Sequence, residues 1–225
     1  MKKIQLSLAL MLATTSLSAQ VATVASPDGR LQVNVDVKDG KPVYEVKYDG
    51  QPALDESPLG FAADHGDFST GITFSGKREA HLEFNYDLTR SKVSHVHVDA
   101  NQLVVTLTNA EGMPFEVDFR VSNNDVAFRY TIPNHPSKAN GKKYSVRIMK
   151  ETTGFDLPDG TTTFLTPQSD AMIGWKGTKP SYEEVYGYDE PMEKPSQYGH
   201  GYTFPCLFKS PKGLWVLVSE TGVDS

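Results

Sequence analysis

The chain of 225 residues carries 22 lysines and arginines against 28 acidic residues, a formal net charge of −6, with 38% hydrophobic residues. That balance fits a folded chain of one large or two small domains, and with no basic stripe it excludes nucleic acid as a partner. The single cysteine excludes an internal disulfide framework, so stability must come from an apolar core.

The opening MKKIQLSLALMLATTSLSAQ has two lysines, an apolar run from Ile4 to Ala13, then small residues up to Ala19. This is the three-part pattern of a secretory signal peptide over residues 1–19, and the apolar run is too short to span a bilayer. It predicts an exported protein, periplasmic or extracellular, whose folded part is residues 20–225. No membrane span is expected.

The remainder reads as short strands. LQVNVDV (31–37) alternates apolar and polar residues, DGKP turns it, and VYEVKYDG (43–50) alternates again, which is a hairpin pattern. GITFSG and HLEFNYDL continue in the same style. SHVHVDANQLVVTLTN reads as two runs, Ser94 to Asp99 and Leu103 to Thr108, broken at ANQ. In FEVDFRVSNNDVAFRYTIP, Phe115, Val117, Phe119 and Val121 share one strand face, SNND turns, and Val126, Phe128 and Tyr130 share a face of the return strand. YSVRIMKE, TTTFLTP and YTFPCLFKSPKGLWVLVSE follow, the last as a hairpin. No apolar period of 3.6 is sustained after the leader. Many short strands separated by turn signals predict an all-β domain, a β-sandwich of two stacked sheets. The alternation from Leu214 through Val218 ends without a closing turn, as if the chain stopped inside a larger protein.

One stretch does not read as a core strand. PSYEEVYGYDE (180–190) packs three tyrosines, two adjacent glutamates and an Asp-Glu pair into a Gly/Pro-rich loop region. An ordinary solvated acidic loop has this composition too. Rings of Trp175, Tyr182, Tyr186 and Tyr188 can pack on the C–H faces of sugars, or on another protein surface, where Tyr and Trp are also enriched. His95 and His97 alternate on one strand and share a face, but zinc needs further ligands that the nearby sequence does not supply. Cys206, among apolar residues, reads as a small buried hydrophobe with no basic partner.

Three stretches, ASPDGRLQVNVDVKDGKPVYEVKYDGQPALDESPLGF, DFRVSNNDVAFRYTIP, and TPQSDAMIGWKGTKPSYEEVY followed by YTFPCLFKSPKGLWVLVSE, resemble the glycoside hydrolase family 97 enzymes in order and spacing. The resemblance covers nearly all of the chain after the leader. It implies an N-terminal β-sandwich of the galactose-mutarotase-like kind, preceding a catalytic barrel, in an exported, calcium-dependent α-glycosidase acting on α-glucosides or α-galactosides. The catalytic carboxylates would lie in the barrel, so no catalytic residue is expected in this chain, and the chain alone would be inactive. What the resemblance assigns here is a calcium-ligand glutamate reaching across to the barrel. Tyr182, Glu183 and Tyr186 match that pattern, which makes Glu183 the candidate ligand and Glu184 the fallback. Trp175, Tyr182, Tyr186 and Tyr188 would face an oligosaccharide substrate or the barrel. One glutamate cannot hold calcium tightly, so the remaining ligands would come from the barrel. A second reading stays open: a stand-alone carbohydrate-binding sandwich of the periplasm or cell surface.

Overall fold

The computed structural model describes residues 22–132, 146–169 and 184–221, and every regular element within them is a strand. Among these residues no helix is long and apolar enough to cross a membrane.

The first sheet is a meander of β1 (Ala22–Ala25), β2 (Leu31–Lys38), β3 (Lys41–Tyr48) and β4 (Gln51–Pro58), paired in chain order. Two Asp-Gly pairs close the β2–β3 and β3–β4 hairpins. Asp39 and Gly40 have φ of 50° and 72°, and Asp49 and Gly50 have 49° and 73°. Both central residues are left-handed, the geometry that matches the twist of flanking strands and favours Asp-Gly. The second pair, which alternation alone places at the end of a strand, is the turn into β4. Arg30 caps it, donating from Nε and Nη2 to the Asp49 carboxylate at 2.9 and 2.6 Å, with its guanidinium over the Tyr48 ring.

The second sheet has the order β10-β9-β8-β7, from β7 (Thr73–Asp87), β8 (His95–Thr108), β9 (Pro114–Val121) and β10 (Val126–Thr131). The core lies between these two sheets. Leu31, Val33, Val35, Tyr44 and Val46 from one meet Leu103, Val105, Leu107, Phe115, Val117, Phe119 and Val121 from the other, all buried in one cluster. The face alternation read for residues 115–130 is therefore correct, and it points the aromatics inward. Tyr44, Phe119 and Phe128 form a ring contact at 5.4–6.0 Å between centroids.

Two smaller sheets depart from a plain two-layer arrangement. β5 (Phe61–Ala63), β6 (Gly66–Asp67) and β11 (Ile148–Glu151) pair in the order β11-β5-β6. β12 (Thr162–Pro167), β13 (Glu190–Pro191), β14 (Tyr202–Lys209) and β15 (Trp215–Val218) pair in the order β13-β12-β14-β15. Leu214 and Val216 bring this fourth sheet against the core. Gly60, ahead of β5, has φ of 122°, and a Cβ there would meet the Phe68 carbonyl oxygen at 2.6 Å, so only glycine fits.

The expected break at ANQ is absent. β8 runs unbroken through Asn101 and Gln102, in continuous register with β7. Tertiary bonds replace the weak local strand preference: the Asn101 amide donates to the Ala25 carbonyl at 2.9 Å and its oxygen meets His81 Nδ1 at 2.9 Å. GITFSG and HLEFNYDL likewise merge into one strand. The outer half of this long hairpin projects beyond the core as a two-stranded ribbon.

Candidate functional site

The fourth sheet sets the site. Its register pairs Thr162 with Lys209, Phe164 with Leu207, and Lys209 with Trp215. Period-two alternation therefore puts Thr162, Phe164, Leu207, Lys209, Trp215 and Leu217 on one face, and the opposite face carries Val216 toward the core. The loop entering β13 lies over the first face. The Gly187 N–H donates to the Leu165 carbonyl at 2.8 Å and fastens that loop to β12.

That anchor places the Tyr188 ring edge-on to Phe164, with centroids 5.1 Å apart at 87°. Phe164 also lies 5.1 Å from Trp215. Lys209 Nζ stands 5.7 Å from the Trp215 ring centroid, a cation–π distance. Asp189 takes φ of 52° and turns its carboxylate back, where it accepts from Thr162 Oγ1 at 2.6 Å and lies 4.0 Å from Lys209 Nζ. Trp215 and Tyr188 stay 52% and 74% exposed. The face is thus an aromatic platform with a charged and hydroxylic rim, the mixture that suits a sugar ring or a polar protein interface.

Glu184, the fallback ligand, accepts at its Oε1 from Ser169 Oγ at 3.0 Å, beyond the end of β12. Ser169 is buried. Partial desolvation first, and the Glu184 carboxylate second, hold the Tyr198 phenol above its ordinary value. A hydrogen bond to that carboxylate adds to the shift, so Ser169, Glu184 and Tyr198 form one polar group. Tyr186 is exposed. Trp175, Tyr182 and the first-choice ligand Glu183 lie outside the described residues.

Among the described residues, no group of three or more His, Cys, Asp or Glu is arranged to hold a metal ion. His95 and His97 do share a face of the ribbon, but each meets its own cross-strand partner. His95 pairs with Asp87, and His97 Nδ1 meets Asn85 Oδ1 at 2.9 Å. Cys206 is half-buried rather than buried, with its thiol directed at the Thr203 carbonyl. Burial raises its pKa, which disfavours the thiolate and any nucleophilic role.

Sequence reasoning placed Tyr188 at the site but missed Phe164, Asp189, Lys209 and Trp215. The signal existed in the alternation of TTTFLTP and LWVLV. It could be used only once the pairing of β12, β14 and β15 had brought those positions to one face.

The family model described as Glycosyl-hydrolase 97 N-terminal matches residues 24–225. The chain belongs to this family. It is 53% identical to a chain in a crystal structure of beta-arabinopyranosidase, over 91% of this chain and 32% of that one, with a TM-score of 0.83. A glycoside hydrolase family 97 enzyme from Pseudoalteromonas sp. strain K8, crystallised with panose as its E480Q form, shares the fold at a TM-score of 0.71 and 22% identity, covering 86% of this chain and 27% of its own. A probable retaining alpha-galactosidase of Streptomyces bingchenggensis (strain BCW-1) is 28% identical over 141 residues, which is 63% of this chain and 20% of that protein. The chain therefore spans about a third or less of each relative's length.

Proposed function

We propose that this chain is the N-terminal domain of an exported glycosidase, with a galactose-mutarotase-like sandwich after a leader at residues 1–19. In this reading it braces a catalytic barrel and supplies one calcium ligand, Glu183, from the 180–190 segment. The leader-like sequence at residues 1–19 supports a location in the periplasm or outside the cell. The observation that carries the reading is the family match across residues 24–225. Glu183 is chosen over Glu184 on the resemblance of Tyr182, Glu183 and Tyr186 to the family pattern, and Glu184 accepts a hydrogen bond from Ser169. The platform of Phe164, Tyr188 and Trp215 then serves the barrel interface or the edge of the substrate cleft, together with Trp175, Tyr182 and Tyr186.

The substrate class follows from the relatives. Acting on α-glucosides or α-galactosides fits the family as a whole. The 53% identity to a beta-arabinopyranosidase, against 28% to an alpha-galactosidase, adds a pentopyranoside to the candidates and favours it. A pentopyranoside lacks the exocyclic hydroxymethyl group of a hexopyranoside, so a barrel pocket closed at that position would decide between them.

The test is to assay the polypeptide carrying this domain and its barrel on nitrophenyl α-glucopyranoside, α-galactopyranoside and β-arabinopyranoside, with and without a calcium chelator. Hydrolysis of one of them, lost on chelation, is expected. No hydrolysis of any, together with saturable oligosaccharide binding by the chain alone, would instead establish the stand-alone carbohydrate-binding module.

A further inference from the structure

The ribbon strand β7 is an edge of the second sheet, 15 residues long. β8 takes one side of it in unbroken register from Gly76 to Asp87, and a bulge sits between Phe74 and Gly76. Among the described residues no strand pairs with its other side. A long exposed edge invites pairing, and proteins usually blunt it with charge. β7 carries charge on that edge, but the charge is self-complementary.

The stretch GKREAHLEF, Gly76 to Phe84, is centred on Ala80. Placed antiparallel to a second copy of itself about that centre, Lys77 faces Glu83, Glu79 faces His81, and Phe84 faces Gly76. The first two pairs fall on one face and the third on the other, as the period of two requires. Each pair occurs twice by symmetry. A shift of one residue breaks all of them, so the charges select a single register. Lys77, Glu79, His81 and Glu83 have side chains 43%, 58%, 53% and 65% exposed and so are accessible.

The chain on its own leaves this ribbon under-compensated. Glu83 stands directly opposite Asp99, a like-charge pair with only histidines beside it: His97 Nε2 is 4.0 Å from Glu83 and His81 Nε2 is 3.6 Å from Asp99. A lysine arriving from a second copy would offset that repulsion. On the other face, Leu82, Phe84 and Tyr86 lie opposite Ala100, Val98 and Val96, and Phe84 and Tyr86 are each 45% exposed. Phe84 laid over the side-chain-free Gly76 of a neighbour would cover apolar surface at an otherwise weak strand position.

We propose that two copies of this chain pair through β7, antiparallel about a twofold axis at Ala80, joining their second sheets into one of eight strands. The interface is isologous and closed, as in most homodimers. It stands independently of the glycosidase reading.

Sedimentation equilibrium on the purified chain tests it. A dimer is expected. Glu83→Lys should weaken it about tenfold or more, because each favourable pair becomes two facing lysines. The double variant Lys77→Glu/Glu83→Lys should restore the affinity, with circular dichroism confirming that all three fold alike. A monomer at every concentration would overturn the proposal. So would a dimer indifferent to Glu83→Lys, or one that the double variant fails to restore.

Discussion

Replacing Tyr130 with phenylalanine removes one oxygen and keeps the ring. That oxygen accepts the Gly60 N–H at 2.8 Å and shares a hydrogen with Thr153 Oγ1 at 2.6 Å. Burial pushes the phenol pKa up to about 12, which marks a site with little water to substitute for it. Thr153 can turn its hydroxyl elsewhere, whereas the Gly60 N–H is fixed by a backbone at φ of 122°. A buried donor left without a partner costs about 1–3 kcal/mol. In a chain of this size each kcal/mol lowers Tm by about 2–4 °C. Tyr130→Phe should therefore lower Tm by about 4–8 °C for a central loss of about 2 kcal/mol. Urea unfolding should show the same loss as a lower midpoint at unchanged slope, since the apolar surface buried is the same. The double variant Tyr130→Phe/Thr153→Val should lose less than the sum of its parts. A Tyr130→Phe chain as stable as its parent would refute the view that this hydroxyl ties β10 to the segments flanking β5 and β11.

Phe119→Ala opens a void between the two main sheets beside Tyr44 and Phe128 and should cost about 3–5 kcal/mol, read by urea denaturation. Asp67 accepts from the Ser69 N–H and hydroxyl at 2.8 and 2.6 Å and from the Thr70 hydroxyl at 2.6 Å, and these bonds hold its pKa below the usual carboxylate value of 3.8. A depressed folded pKa gives stability that is present above pH 3.8 and lost as pH falls through the lower folded value. Thermal melts should show that acid loss in the parent and a reduced one in Asp67→Asn. In the barrel-containing protein, Glu183→Gln should weaken calcium binding by about tenfold, measured by calorimetry, while circular dichroism of the sandwich stays unchanged.

The elements read best in sequence were those whose periodicity and turn chemistry agree. Val33, Val35 and Val46 alternate around Asp39-Gly40, and the aromatics from Phe115 to Tyr130 alternate around an Asn-Asp turn, so local pattern and tertiary burial give the same answer. The long ribbon is hidden in the sequence because Ala100-Asn101-Gln102 has turn-like composition, and cross-strand pairing with β7 and β9, with the Asn101 bonds to Ala25 and His81, keeps it extended. The division into four sheets was illegible for a related reason. β5, β6 and β13 are only two or three residues long, and β5 and β13 also pair with strands distant in sequence. At the candidate site, Tyr188 was visible through its unusual loop, whereas Trp215 and Phe164 were hidden by sitting on strands that read as core.

Trp215 has a practical consequence. The chain contains two tryptophans, and this one sits half in water on the aromatic platform, next to the Lys209 ammonium. An indole so placed emits at long wavelength and is sensitive to quencher. Any partner surface or sugar that covers the fourth sheet will exclude water from it and shift that emission to the blue. The platform thus carries its own optical gauge, which can report occupancy in a Trp175→Phe background without a label.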